Sequence, residues 1–150
     1  MGFFMFQCLN HYVMTKKKVF VCDDNTSIVE VIKVVLSECL DLDVLTETKS
    51  VNALSYMEQE FPEILIVDLS MPGMSGDQLI KKVRGHDILK DLFIICISAN
   101  SDGKKVAMDA GADIFLSKPF NLVDLLKSLE GYEAHRKKRG QISNNNALMN

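Results

Sequence analysis

The stretch Ile64-Leu65-Ile66-Val67-Asp68 is a short apolar run that stops abruptly at a carboxylate. Three other stretches share that layout. Val19-Phe20-Val21-Cys22 ends in Asp23-Asp24, Leu92-Phe93-Ile94-Ile95-Cys96-Ile97 ends in Ser98, and Ile114-Phe115-Leu116-Ser117 ends in Lys118-Pro119. Continuous apolar runs of this length with helical patterns between them read as strands buried on both faces of a parallel sheet. Parallel strands place their C-terminal ends along one edge. The layout therefore gathers three carboxylates, a hydroxyl and an ammonium at one cleft.

The intervening segments supply the helices. Ile28, Ile32, Val35, Leu36 and Cys39 recur at helical spacing, and Ser27 and Glu30 have capping-box spacing. A weaker strand at 43–47 carries flanking charges, which suits an edge. Ser50 is placed to cap a second helix with Ala53, Leu54, Met57 and Phe61 on one face, ended by Pro62. A Pro- and Gly-rich loop follows Asp68, and a third helix carries Leu79, Ile80 and Val83. A fourth helix over 102–110 has few large apolar residues and stops at Gly111, which predicts loose anchoring. A fifth starts after Asn121 and buries Leu122, Leu125, Leu126 and Leu129. The order βαβαβαβαβα calls for an α/β fold with helices on both faces of the sheet. The expected architecture is a flavodoxin-like, doubly wound, five-stranded parallel sheet of order 2-1-3-4-5 with five helices.

Composition bounds the function. The 150 residues suit one domain. Residues 1–130 carry 13 Lys and Arg against 19 Asp and Glu, while 131–150 carry four against one. An acidic domain with a short basic tail is not the profile of a dedicated nucleic-acid binder. Cys8, Cys22, Cys39 and Cys96 show no metal-ligand spacing and suit a reducing cytoplasm. No segment approaches a membrane span, and residues 1–14 lack the basic start of a signal peptide. Residues 1–15 are expected to be an extension outside the domain, with Met14 a natural start just before the first strand. Residues 132–150 are expected to be a solvated, disordered tail. His11, His86 and His135 have no motif around them and are expected at the surface.

Three carboxylates in one cleft repel, at about 4 kcal/mol per pair at 4 Å and an effective dielectric of 20. A hard divalent cation is the natural occupant, and Mg²⁺ suits a site that also receives phosphate oxygens. Lys118 acts as a point charge for such oxygens, and Ser98 can donate to them. Phosphoryl transfer needs mainly positioning and charge neutralisation, and one carboxylate can itself be the nucleophile. Asp68, at the end of the central strand, is the best candidate.

The ordered set Asp23-Asp24, Asp68 with Met71-Pro72-Gly73-Met74-Ser75-Gly76, Ser98-Ala99, Gly111-Ala112-Asp113, Phe115 and Lys118-Pro119-Phe120 resembles the receiver domain of bacterial two-component response regulators. The resemblance covers about residues 16–131. It implies a phosphoacceptor, not an enzyme that turns over a separate substrate. Asp68 would take the phosphoryl group from a sensor histidine kinase or a histidine phosphotransfer protein. Mg²⁺ would be bound by Asp24, Asp68 and the Ser70 backbone carbonyl, with Asp23 helping partly through water. Lys118 would bond the phosphoryl oxygens, Ser98 would turn toward them, and the aromatic Phe115 would follow inward. That change would reshape the face of helix 4, strand 5 and helix 5, where family members bind targets or dimerise. A cis peptide before Pro119 is also implied. Ser70 and Asn100 hold the positions that tune dephosphorylation in the family. With no output domain in view, the expectation is a cytoplasmic, single-domain regulator that signals through protein binding. Two alternatives stay open. One is a receiver-like interaction module that does not use phosphorylation. The other is a Mg²⁺-dependent phosphohydrolase with an Asp nucleophile, against which Ser70 argues because such enzymes usually carry a second Asp there.

Overall fold

The computed structural model describes residues 16–147. Strands β1 (Lys18–Cys22), β2 (Asp43–Glu47), β3 (Ile64–Asp68), β4 (Phe93–Ser98) and β5 (Ile114–Ser117) form one sheet of order β2-β1-β3-β4-β5, every pair parallel. Helices α1 (Thr26–Val34), α2 (Ser50–Glu60), α3 (Gly76–Arg84), α4 (Gly103–Ala110) and α5 (Leu122–Ala147) alternate with the strands. This is the expected doubly wound architecture.

Alternating side chains of the central strands feed two cores. Phe20, Cys22, Leu65, Val67, Ile94 and Cys96 meet α2, α3 and α4 through Ala53, Met57, Leu79, Ile80, Val83 and Ala107. Val19, Val21, Ile64, Ile66, Ile95 and Ile97 meet α1 and α5 through Val29, Ile32, Leu36, Leu125 and Tyr132. Both faces of β1, β3 and β4 are thus covered, which explains their unbroken apolar runs. Each large side chain so buried contributes about 1.5–3 kcal/mol. The edge strand β2 has no fully buried residue, as its shortness and charge suggested.

Several local expectations are corrected. The α1 cap is Asn25, whose side chain accepts from the Ser27 and Ile28 amides, in place of a Ser27–Glu30 box. The helix then continues in a π-helical turn over Val35–Cys39, which leaves Cys39 exposed. Ser50 does not cap α2. It lies buried one residue inside the helix, where its hydroxyl donates to the Pro72 carbonyl and accepts from the Met74 amide. Phe61 takes the left-handed conformation at the end of α2 and is 57% exposed, so it leaves the core. The residue before a proline is disfavoured in the right-handed helical region, which turns this side chain away from the apolar face. Leu122 is likewise exposed. Asn121 does cap α5, by accepting from the Asp124 amide while Asp124 accepts from its own.

The largest difference is at the C-terminus. Residues 132–150 are expected as a solvated, disordered tail, yet α5 continues to Ala147. Tyr132 is buried and donates to Glu63 Oε2 at 2.5 Å. Its ring and that of His135 pack on Phe93. Arg139 donates to the Asp91 carbonyl and pairs with its carboxylate. These long-range contacts hold the basic segment as helix against the strand base. His135 is therefore half-buried, as is His86, which pairs with Glu58 at 3.0 Å. The expectations for residues 1–15, His11 and Cys8 lie outside the described residues.

Candidate acidic site at the C-terminal strand edge

The order β2-β1-β3-β4-β5 puts β1 and β3 side by side at the point where the connections reverse direction, which is where open α/β sheets form a crevice. Cys22 is paired with Val67, so Asp23 and Asp68 leave their strands at the same level. Asp23 and Asp68 are buried and Asp24 is exposed. One carboxylate oxygen from each lies within 4.8 Å of the others. A set of oxygen donors this close suits a hard divalent cation.

Lys118 reaches in from the far end of β5. Its Nζ donates to Asp23 Oδ2 at 2.9 Å and lies 3.3 Å from Asp68 Oδ1. Two contacts fix this position. The Lys118 amide donates to the Ser98 carbonyl, and Asp23 Oδ1 accepts from the Asn25 amide at 2.9 Å. The Lys118-Pro119 peptide is cis, as expected. Burial pushes the Asp68 carboxyl above the ordinary range, and the charge of Asp23 adds to it against the counter-pull of Lys118. Burial pulls the Lys118 ammonium down, but the hydrogen bond and charge of Asp23 outweigh it and leave the group raised.

The remaining expected site residues fall nearby in sequence order. Ser98 is fully buried at the end of β4, and its hydroxyl accepts from the Asn100 amide. Phe115 sits opposite Cys96 on β5, half-buried against the core under α4. Ser70 lies exposed in the loop after Asp68. The structure thus joins Asp23, Asp24, Asp68 and Lys118 by direct proximity.

Two glycines border the site: Gly76, quoted above in the motif after Asp68, and Gly103, which no motif marks. A Cβ at Gly103 would lie 2.9 Å from Ser98 Oγ, so the first turn of α4 approaches that hydroxyl backbone-first. A Cβ at Gly76 would lie 2.2 Å from the Asp68 carbonyl oxygen, so α3 begins pressed against the backbone of Asp68. The Gly76 amide secures this by donating to the Leu69 carbonyl at 2.8 Å. α4 is anchored by small residues alone (Gly103, Ala107 and Ala110), while Val106 and Met108 face solvent.

Comparison with known proteins agrees with this geometry. The sequence profile of the response regulator receiver domain matches residues 19–130. The transcriptional regulatory protein KdpE of Mycobacterium tuberculosis is 30% identical over 74% of this chain and 48% of its own length. The alkaline phosphatase synthesis transcriptional regulatory protein PhoP of Bacillus subtilis is 29% identical over 70% of this chain and 43% of its own. This chain thus spans just under half the length of the curated relatives it matches. Among solved structures, the chemotaxis response regulator CheY4 of Vibrio cholerae superimposes with a TM-score of 0.73 at 29% identity, covering 79% of this chain and 99% of that one. No helix among the described residues is long and apolar enough to cross a membrane. Profile, fold and the acidic crevice agree, and the chain belongs to the response regulator receiver domain family of two-component systems.

Proposed function

We propose that this chain is a phosphoacceptor switch whose acceptor is Asp68. The observation that carries the proposal is the Lys118 ammonium held between the buried carboxylates of Asp23 and Asp68. A carboxylate oxygen of Asp68 attacks the phosphorus of a phosphohistidine on a sensor kinase or histidine phosphotransfer protein. The P–N bond breaks, an acyl phosphate forms, and the histidine leaves with its ring nitrogen taking a proton from solvent. Lys118 bonds the phosphoryl oxygens and offsets their charge. Asp23, Asp24, Asp68 and the Ser70 carbonyl are the groups that would hold Mg²⁺, which supplies charge neutralisation when bound.

Ser98 reports the modification. Its hydroxyl exchanges the Asn100 amide for a phosphoryl oxygen, and Phe115 moves inward behind it. The consequence is a reshaped face of α4, β5 and α5. The weak anchoring of α4, with only small buried residues, favours such a shift. A downstream protein, or a second copy, binds that face. The test is phosphate uptake from acetyl phosphate in Mg²⁺. The unmodified chain should take up one acid-labile phosphate and Asp68→Asn none. Undiminished uptake by Asp68→Asn overturns the assignment.

A further inference from the structure

Five polar or charged side chains are buried among the described residues. Asp23, Asp68 and Ser98 belong to the crevice, and Ser128 donates to the Asp124 carbonyl of its own helix. Ser50 is the fifth. It is 1% exposed at the first residue of α2, a helix that begins without a side-chain cap. A serine hydroxyl at a helix start ordinarily bonds backbone nearby in sequence. This one serves a segment 22 to 24 residues away, donating to the Pro72 carbonyl and accepting from the Met74 amide, each at 3.2 Å.

Pro72 and Met74 lie in the loop that follows Asp68. That loop is closed at its base, where the Gly76 amide donates to the Leu69 carbonyl. Met71 anchors it toward β1, buried with its sulfur 3.7 Å from Cys22 Sγ. Gly73 turns it with a φ of +83°, and a Cβ there would lie 3.3 Å from Val51 Cγ1, so the turn rests on the start of α2. Ser70, Pro72 and Gly73 are exposed. Among the described residues, the Ser50 hydroxyl is the one oxygen or nitrogen outside the loop that bonds residues 70–74. It holds both ends of the Pro72–Met74 turn at once.

We infer that Ser50 is a positioning residue for the divalent-cation site, acting through the backbone of Ser70. The direction of a backbone carbonyl follows the dihedral angles on either side of it. On one side of Ser70 the chain is fixed by Asp68 and Leu69. On the other it is fixed by Met71 and by the turn that Ser50 grips. The inference rests on the reading that the Ser70 carbonyl is among the groups that would hold Mg²⁺. Mg²⁺ demands near-ideal octahedral geometry, whereas Ca²⁺ accepts flexible coordination. A carbonyl free to swing therefore weakens the site for Mg²⁺ more than for Ca²⁺, and Ser50 contributes to selectivity for the smaller ion.

Ser50→Ala removes this tie without orphaning a loop group, because the Met74 amide also donates to the Pro72 carbonyl at 3.0 Å. The variant therefore keeps its fold. Calorimetric titration of the full chain with Mg²⁺ alone, and separately with Ca²⁺ alone, compares it with the unmodified protein. Ser50→Ala should raise the Mg²⁺ Kd by about 3- to 10-fold, below the roughly 10- to 100-fold that follows loss of a group bonded directly to a metal ligand. It should raise the Ca²⁺ Kd by less than about twofold. A Mg²⁺ Kd that Ser50→Ala leaves unchanged overturns the inference alone. So does an equal weakening of both ions, which reports a general loosening of the carboxylates. Absence of Mg²⁺ binding by the unmodified chain overturns the reading of the crevice itself, and the inference with it.

Discussion

Replacing Asp68 by Asn should make the metal-free protein more stable. The carboxylate oxygens of Asp23, Asp24 and Asp68 lie within 4.8 Å of one another. At that separation and an effective dielectric of 20, each like-charged pair costs about 3.5 kcal/mol, so Asp68 bears about 7 kcal/mol from two neighbours. Lys118, at 3.3 Å, returns about 5 kcal/mol on the same scale. The balance of about 2 kcal/mol opposes ionisation, and burial adds to it. The raised pKa of Asp68 has the same sign, with burial its largest cause and Asp23 next. The folded chain therefore holds the Asp68 proton more tightly than the unfolded chain does. Stability falls as pH rises from the unfolded value near 3.9 through the folded one, and the penalty persists at pH 7. Asparagine keeps the shape and removes the charge, while Lys118 keeps Asp23 as its partner. The expected gain is about 1–2 kcal/mol, a rise in Tm of about 3–8 °C for a chain of this size. Thermal melts at pH 7 in chelator measure it. In Mg²⁺ the order should close, because a ligand at ten times its Kd stabilises the unmodified chain by about 1.4 kcal/mol. Asp68→Asn should gain much less from the metal. A Tm for Asp68→Asn at or below that of the unmodified chain in chelator would refute the claim that Asp68 is held under net repulsion.

The other predictions concern packing and titration. Gly76→Ala drives a methyl into the Asp68 carbonyl and should cost about 2–3 kcal/mol in urea unfolding, whereas Gly85→Ala meets nothing closer than 3.5 Å and should change stability by about 0.5 kcal/mol or less. Burial pushes the thiols of Cys22 and Cys96 up to about 12, so alkylation at pH 8 with peptide mapping should mark the exposed Cys39 and spare both of them. The Tyr132 phenol is raised by burial and by its hydrogen bond to Glu63. It therefore contributes stability below pH of about 10 that is lost as pH rises through its folded value. Tyr132→Phe should cost about 1 kcal/mol at neutral pH and should flatten the alkaline loss of stability seen by chemical denaturation.

The strands and the residues at their ends were legible because they are local features. A strand buried on both faces has no polar alternative along its length, so Ile64 to Val67 reads as one block and Asp68 marks its end. The parallel arrangement then carried the site, since it puts Asp23, Asp68, Ser98 and Lys118 on one edge without any distance being known. The misreadings share a cause. Helical periodicity in residues 50–61 counted Phe61 into the core, but the proline after it rotates the chain out of the helix. Leu122 fits the α5 pattern and yet lines an open groove. Residues 132–139 of α5 are held by Glu63, Phe93 and Asp91, which lie far away in sequence, and no local pattern reports such contacts. The close approaches at Gly76 and Gly103 have the same character. A glycine in the sequence does not say which backbone or hydroxyl lies against it.

The central claim, that Asp68 carries the phosphoryl group, is tested most directly by trapping the modified residue. The full chain is phosphorylated in Mg²⁺, the acyl phosphate is reduced with borohydride, and the peptides are sequenced by mass spectrometry. The account predicts homoserine at position 68 alone, with Asp23 and Asp24 unchanged. Homoserine at either of those positions, or phosphate retained on another residue with Asp68 intact, would contradict it.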